Sequence, residues 1–436
     1  TSLTSITIPN KVTTIQEYAF NNCTALSSIS IPESVTYLAN NAFGSSGLKH
    51  ITWHPKNYNN GNPGDGNSRS PFYYIKDNIQ SITFGENVDT IPYRMCWEMY
   101  NLKSVSLPDN LKCIEYDAFS ACKSLESIDI PNGVTYIGNY AFNECYSLSS
   151  ITLPDSLQTI EQYAFRLCTL LTSITIPERV SYMAENAFQE SGINSVVWNP
   201  KDYNNTGNSP FAPIKTNITS ITFSDNVEAI PYRMCYNMSN LTDINGGKNV
   251  KRIGKEAFYG VPFEEGPIYV GRVLYGYSGT MPDNYSLTLR DNTIGIANNA
   301  FQNQQNLLMI TFNEGLEEIG SEAFRNCQAL LSLKFPNSLR TIGNSAFYDC
   351  YGLTVAKLGE GLQSIGEYAF RYCSALNTSV TFPETLQTIG RGVFEGCTNV
   401  PSITVQGAVE RIEENTFRGC NQLKTIVLPN TVNYIG

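Results

Sequence analysis

The chain has 436 residues, of which 42% are hydrophobic and 16% charged, and 29 Lys and Arg face 39 Asp and Glu for a formal charge of −10. That balance disfavours nucleic-acid binding, which needs cations to displace counterions from phosphate, and no run nears the roughly 18 apolar residues of a membrane span. With only two histidines, His50 and His54, most imidazole-based acid–base chemistry is excluded as well.

From residue 3 onward one pattern recurs, and a repeat of this length overrides any domain count based on chain length. Leu3, Ile6, Ile8, Pro9, Val12, Ile15, Ala19, Phe20 and Cys23 define a turn, and Leu125, Ile128, Ile130, Pro131, Val134, Ile137, Ala141, Phe142 and Cys145 repeat it. The alternation Ile6-x-Ile8 predicts a strand with one buried face. Pro9 has no N–H to give to a ladder and should close that strand. Val12-x-x-Ile15 predicts a second short extended piece, and residues 17–23 have the composition and spacing of a single helical turn. Residue 1 already lies inside this order, so no leader is visible.

The Phe position can be followed from Phe20 to Phe417 through 17 turns with an underlying period of 23; Phe72, Cys96, Phe211 and Cys235 hold it in four weaker turns. One turn alone cannot fold, because its six large apolar side chains do not offset the ordering of 23 backbones. Neighbours must share ladders and apolar faces. At about 4.8 Å per stacked strand, the 16 intervals predict one continuous solenoid roughly 75–80 Å long over residues 1–436. Both ends stop partway through a turn without a polar cap, so segments outside the chain are expected to cover them.

The I-P after the strand, the V-T-x-I and the A-F-x-x-C, as in residues 151–168, resemble the BspA-like, or Treponema-type, leucine-rich repeat family, and the resemblance covers essentially the whole chain. It implies an α/β leucine-rich-repeat solenoid, here of about 17 turns with a parallel β-ladder, short second strands and single helical turns. It further implies a surface or secreted protein of a host-associated bacterium that acts in adhesion or protein binding.

A longer duplication lies over the short one. Trp53, Pro55, Lys56 and Tyr58 match Trp198, Pro200, Lys201 and Tyr203, and residues 91–96 match 230–235. The offset falls from 145 to 139 because the first copy's Asn/Gly-rich excursion, about 54–71, is six residues longer than the second, about 199–210. Such loops sometimes bind calcium, but Asp65 alone is acidic here and no metal site is expected. Between Phe258 and Phe301 lie twenty surplus residues; about 262–284, β-formers around Gly271 and then Met281-Pro282-Asp283-Asn284 predict a β-hairpin insertion.

Nine of the 12 cysteines share one repeat position, and stacking sets their side chains parallel in a line. Collinear thiols neither surround zinc tetrahedrally nor meet disulfide geometry well, so buried structural thiols are expected. His50 and His54 lie i, i+4 on a strand, where the rings do not converge, and Asn194 and Asn199 replace them in the second copy.

A parallel β-helix polysaccharide lyase or hydrolase has coils of similar length, but it needs clustered carboxylates or cations. Outward strand positions instead read Ser and Thr, as at Ser149, Ser150 and Thr152. The reading is therefore non-enzymatic, with no cofactor. Trp53 and Trp198 hold a core position, so the candidate ligand-binding residues are the aromatics outside it: Trp97, Tyr100, Tyr236, Tyr275 and Tyr277. The expected partner is a host or bacterial surface protein, with a glycan as the alternative.

Overall fold

The computed structural model describes residues 2–56, 58, 70–201, 203 and 207–436. Most of the 54–71 excursion, including Asp65 and with it the calcium question, lies outside these residues, as do 202 and 204–206 of the second excursion. The chain forms two compact units. The first is Thr1–Val227 with Pro231–Asn245 and Glu256–Pro262, and the second is Phe263–Gly436 with Glu228–Ile230 and Gly246–Lys255.

Most turns contribute one longer strand and one two-residue strand, and where these pair with a neighbouring turn they do so in parallel. In the first unit Ser28–Ile31, His50–Trp53, Ser81–Phe84 and Ser104–Ser106 form one such ladder, with Ile29 opposite Ile51, Ile51 opposite Ile82 and Ile82 opposite Val105. The equivalent stretch of the first turn, residues 3–8, joins no strand. Thr90–Ile91, Cys113–Ile114, Tyr136–Ile137, Thr159–Ile160 and Tyr182–Met183 form a five-stranded ladder of the short kind. Alternation buries Ile29 and Ile31 and exposes Ser28 and Ser30. After the strand, Pro131 turns the chain, and its carbonyl accepts the Val134 N–H at 3.1 Å.

The helical turn expected at residues 17–23 is replaced by something tighter. In the turn of Phe119, Ala118, Ser120 and Cys122 donate their N–H groups within the turn, to Glu115, Asp117 and Phe119. The alternate N–H groups of Asp117, Phe119 and Ala121 donate to the next turn, reaching the carbonyls of Asn139, Ala141 and Asn143 at 3.0, 2.8 and 2.7 Å. This alternation requires Asp117 and Ala121 to sit at φ 56° and 61°, a conformation that ends any α-helix. Tyr140 and Glu144, and Glu322 and Asn326, repeat it two residues either side of their Phe. Each such non-Gly residue costs roughly 1–3 kcal/mol, and the inter-turn bonds it permits offset that cost. Among the described residues the helical segments are two 3-10 pieces, Tyr73–Asn78 and Ala212–Ile214.

Matching register stacks like on like. The rings of Phe301, Phe324, Phe347 and Phe370 lie within 9° of parallel, with centroids 5.2–5.4 Å apart. Offset stacking adds to area burial, and the row runs inside a continuous core from Leu274 to Ile412 in the second unit. Cys122, Cys145 and Cys168 form a parallel row beside the aromatic one. Each thiol donates to the carbonyl at the Phe position of the preceding turn, at 3.2 Å; Cys327, Cys350, Cys373, Cys397 and Cys420 do the same at 3.0–3.2 Å. All 12 cysteines are free thiols, and ten are buried.

Residues 266–278 form the hairpin. Gly266–Val270 runs antiparallel to Val273–Ser278 around Gly271 and Arg272. Gly271 has φ +57° and a Cβ there would lie 1.9 Å from the Gly247 carbonyl, so only glycine fits. The hairpin's second strand is also a rung: Val273 and Leu274 pair in parallel with Gly295 and Ile296. The surplus in the 43-residue interval is thus almost a whole turn that lacks its aromatic residue, one more than the 17 traced by the Phe position. The Pro282-Asp283-Asn284 turn does not close the hairpin but leads into the strand Tyr285–Thr288.

Two outcomes follow from these rows. Phe347→Ala leaves a hole between two stacked rings and is expected to cost about 3–5 kcal/mol, whereas half-buried Phe417→Ala costs less; urea midpoints followed by circular dichroism would show the difference, and equal midpoints would contradict the stacked core. Burial pushes the Cys145 and Cys327 thiols up to about 12 and Cys420 to about 11. Because these values exceed the roughly 8.5 of an unfolded thiol, stability is complete below that pH. It is lost as pH rises from there towards 12, by up to about 1.4 kcal/mol per thiol per pH unit. Urea midpoints measured from pH 7 to 11 should decline above pH 8.5; a flat profile would place the thiols in water.

Candidate functional site

The turns that flank the first excursion put the Phe-position neighbours in rows on the edge of the first unit. Tyr73 follows Phe72 and Trp97 follows Cys96, so matching register stacks them, with centroids 5.9 Å apart. Lys76, in the 3-10 piece Tyr73–Asn78, spreads its ammonium over three rings: Tyr73 at 4.6 Å, Tyr100 at 5.2 Å and Trp97 at 5.9 Å. It also pairs with Glu98. Burial draws the Lys76 ammonium down, but the hydrogen bond and charge of Glu98 outweigh that and hold it above its ordinary range, so it stays cationic. Lys123 approaches Tyr100 at 4.7 Å and Tyr146 at 5.7 Å.

The Arg94 guanidinium lies 4.7 Å from the Trp97 ring and 4.9 Å from that of Tyr93. Asp117 fixes it from the next turn at 3.1 Å. Burial raises the Asp117 carboxyl, and Arg94 only partly counters it. Cations held over aromatic faces form a patch that is both apolar and hydrogen-bonding, the composition found at protein recognition centres.

The duplication rebuilds half of this patch. Tyr232, Arg233, Tyr236 and Glu256 correspond to Tyr93, Arg94, Trp97 and Asp117. Arg233 lies 4.6 Å from Tyr236 and 5.0 Å from Tyr232, and pairs with Glu256 at 2.7 Å. Tyr236 stacks on Tyr259 at 5.2 Å. Ser239 takes the place of Tyr100, so the lysine-aromatic half is missing.

Of the five candidates, Trp97 and Tyr100 therefore meet through Lys76, and Tyr236 lies six turns further on. Tyr275 and Tyr277 belong to the second unit, where Tyr275 neighbours Phe263 at 6.4 Å and Tyr277 packs edge-on to Tyr285 at 5.3 Å. All five are half-buried. Trp53 and Trp198 are fully buried, as their core position requires.

Sequence reasoning missed Lys76, Arg94 and Lys123, which organise the rings. It also missed a row of tyrosines, Tyr93, Tyr116, Tyr140 and Tyr163, with centroids 4.8–5.6 Å apart. Their spacing of 23 or 24 residues was the available signal.

His50 lies on the outer face of its strand and hydrogen-bonds Ser81 Oγ through Nδ1 at 2.8 Å. Among the described residues, no three His, Cys, Asp or Glu side chains gather as a metal would need, and no helix is long and apolar enough to cross a membrane.

The BspA type Leucine rich repeat region family matches the chain in 6 copies, over residues 1–63, 67–157, 135–263, 280–378 and 346–436. Among solved structures, a leucine-rich repeat protein of T. pallidum is 25% identical over 40% of this chain and 83% of its own, with a TM-score of 0.36. One from Bacteroides ovatus is 20% identical over 97% and 87%, with a TM-score of 0.27, and one from Eubacterium ventriosum is 18% identical over 84% and 83%, with a TM-score of 0.36. No curated protein matches. With stacked 23-residue turns, parallel ladders and a family pattern that recurs from end to end, the chain belongs to the BspA-type leucine-rich repeat family.

Proposed function

We propose that the chain is a non-catalytic binding scaffold, displayed outside the cell of a host-associated bacterium, that adheres to a host or bacterial surface protein. Family membership supports the scaffold reading, and one observation carries the choice of site: Trp97, Tyr100 and Tyr73 gathered around Lys76, with Arg94 also close to Trp97. Rigid rings lose little conformational freedom on contact, and their positions are set by ladder register rather than by loop conformation. Tyr236 with Arg233 forms a lesser second contact, and Tyr275 and Tyr277 a third. The outer strand faces support the recognition reading, since the ladder stacks hydroxyl-bearing side chains on one another, as at Ser127 and Ser150.

A pull-down from host extracellular matrix extract, with wild type beside the double variant Trp97→Ala/Tyr100→Ala, tests this reading. Hot-spot truncations cost at least about 2 kcal/mol, so capture of the bound protein should fall about 30-fold while the melting curve is retained. Capture that is equal in the two proteins would remove the patch from the proposal. Turnover of any polysaccharide by the wild type would overturn the non-catalytic reading.

A further inference from the structure

The two excursions do more than lengthen a loop: each opens the wall of the first unit at the same repeat position. Among the described residues the short-strand ladder ends at Tyr37–Leu38 and resumes at Thr90–Ile91, and the intervening sequence has no Pro-x-x-Val corner. The corners on either side then face each other across the gap. Glu33 reaches over it, and its Oε2 accepts the Asn87 Nδ2–H at 2.7 Å across 54 residues. In the second copy Glu178 accepts from Asn226 at 3.1 Å across 48 residues. Each bridging pair also lines a concavity, of about 820 Å³ in the first copy, where Ile6, Thr7, Ile8 and Asn10 of the first turn form part of the wall, and about 620 Å³ in the second. Both volumes lie in the range of small-molecule sites.

We propose that these two niches are saccharide-binding sites. Ser34, Thr36, His54 and Lys56 join Glu33 and Asn87 in lining the first. Asp155, Ser156, Arg179 and Asn199 join Glu178 and Asn226 in the second. Each niche thus brings together a carboxylate, an amide, a cation and a hydroxyl, which accept from and donate to neighbouring hydroxyl groups.

Each mixes charges of both signs, Glu33 with Lys56, and Asp155 and Glu178 with Arg179, which fits a neutral ligand better than an anion. Among the described residues neither niche gathers three His, Cys, Asp or Glu side chains around one point. In the second, the Ser224 hydroxyl is buried without a hydrogen-bond partner among the described residues, the state of a group that awaits one. Its counterpart in the first copy is Gly85, where a Cβ would lie 2.1 Å from His54 Nδ1, so the imidazole takes the hydroxyl's place and the two niches differ in lining at this point. Six turns separate them within the first unit, about 29 Å at the strand spacing. A linear glycan long enough to occupy both therefore gains avidity that a short one lacks.

The test is an array of neutral, sialylated and sulfated oligosaccharides, followed by calorimetry with whichever neutral oligosaccharide binds best. Wild type, Glu33→Gln, Glu178→Gln and the double variant are compared, with melting curves as the folding control; Lys56→Ala/Arg179→Ala supplies an independent pair. Two sites per wild-type chain are expected, one in each single variant, and at least a tenfold loss of affinity in both double variants. A polymer of the same sugar should bind the wild type at least a hundredfold tighter than the short oligosaccharide. Binding should survive Trp97→Ala/Tyr100→Ala, which separates this inference from the protein-binding one. An array without signal, signal confined to sialylated or sulfated probes, or affinity unchanged in the double variants would overturn it.

Discussion

Everything in this structure depends on the strict register between one turn and the next. A 23-residue turn buries too little to stand alone, so its backbone donors must find acceptors in its neighbours. They do so at three places per turn: the longer strand, the two-residue strand, and the tight segment around the Phe position, where alternate N–H groups leave the turn and enter the next. Register then dictates side-chain chemistry. Phenylalanines must stack on phenylalanines, thiols must line up, and any residue type that recurs at one position becomes a row on the surface. Core rows supply stability; surface rows supply the patches available for recognition.

Much of this was legible in the sequence because period and polarity report burial directly. Ile29 and Ile31 inside, Ser28 and Ser30 outside, and Pro131 at the strand end all follow from alternation and the chemistry of proline. The segment around Phe119 was not legible as such. Ala-Phe-x-x-Cys spacing fits a helical turn equally well, and the residues that adopt positive φ, Asp117 and Ala121 here and Tyr140 and Glu144 in the next turn, share no chemical signature. Inter-turn bonding selects that conformation, and a single turn does not display it. The hairpin was legible as a pair of strands, but its second strand doubles as a rung through Val273 and Leu274, a pairing that depends on a partner 22 residues away.

The aromatic patch around Lys76 divides in the same way. Trp97 and Tyr100 could be picked out as aromatics away from core positions, but of their partners only Arg94 shares their turn; Lys76 and Lys123 come from the turns before and after. Stacking places the two lysines beside the rings. The duplication offers an internal control: Arg233 between Tyr232 and Tyr236 reproduces the arginine half, whereas Ser239 in place of Tyr100 abolishes the lysine half. One architecture therefore carries two unequal versions of one arrangement, which is how a repeat protein diversifies recognition without altering its frame.

The excursions show how that frame survives interruption. Where the first departs, the Tyr58 hydroxyl donates to the Leu38 carbonyl at 3.2 Å while its ring packs edge-on to Trp53 at 4.9 Å; Tyr203 does the same for Met183 beside Trp198. A phenol thus serves the acceptor that a missing strand would have left bare. On the far side Ser70 and Ser209 receive the N–H groups of Phe72 and Phe211, each at 3.2 Å. Two fixed anchors with a variable length between them, already differing by six residues in nature's own pair, amount to a socket. Foreign sequence grafted between them would be displayed at a defined height on the stack, its cargo changed and the scaffold unaware of it.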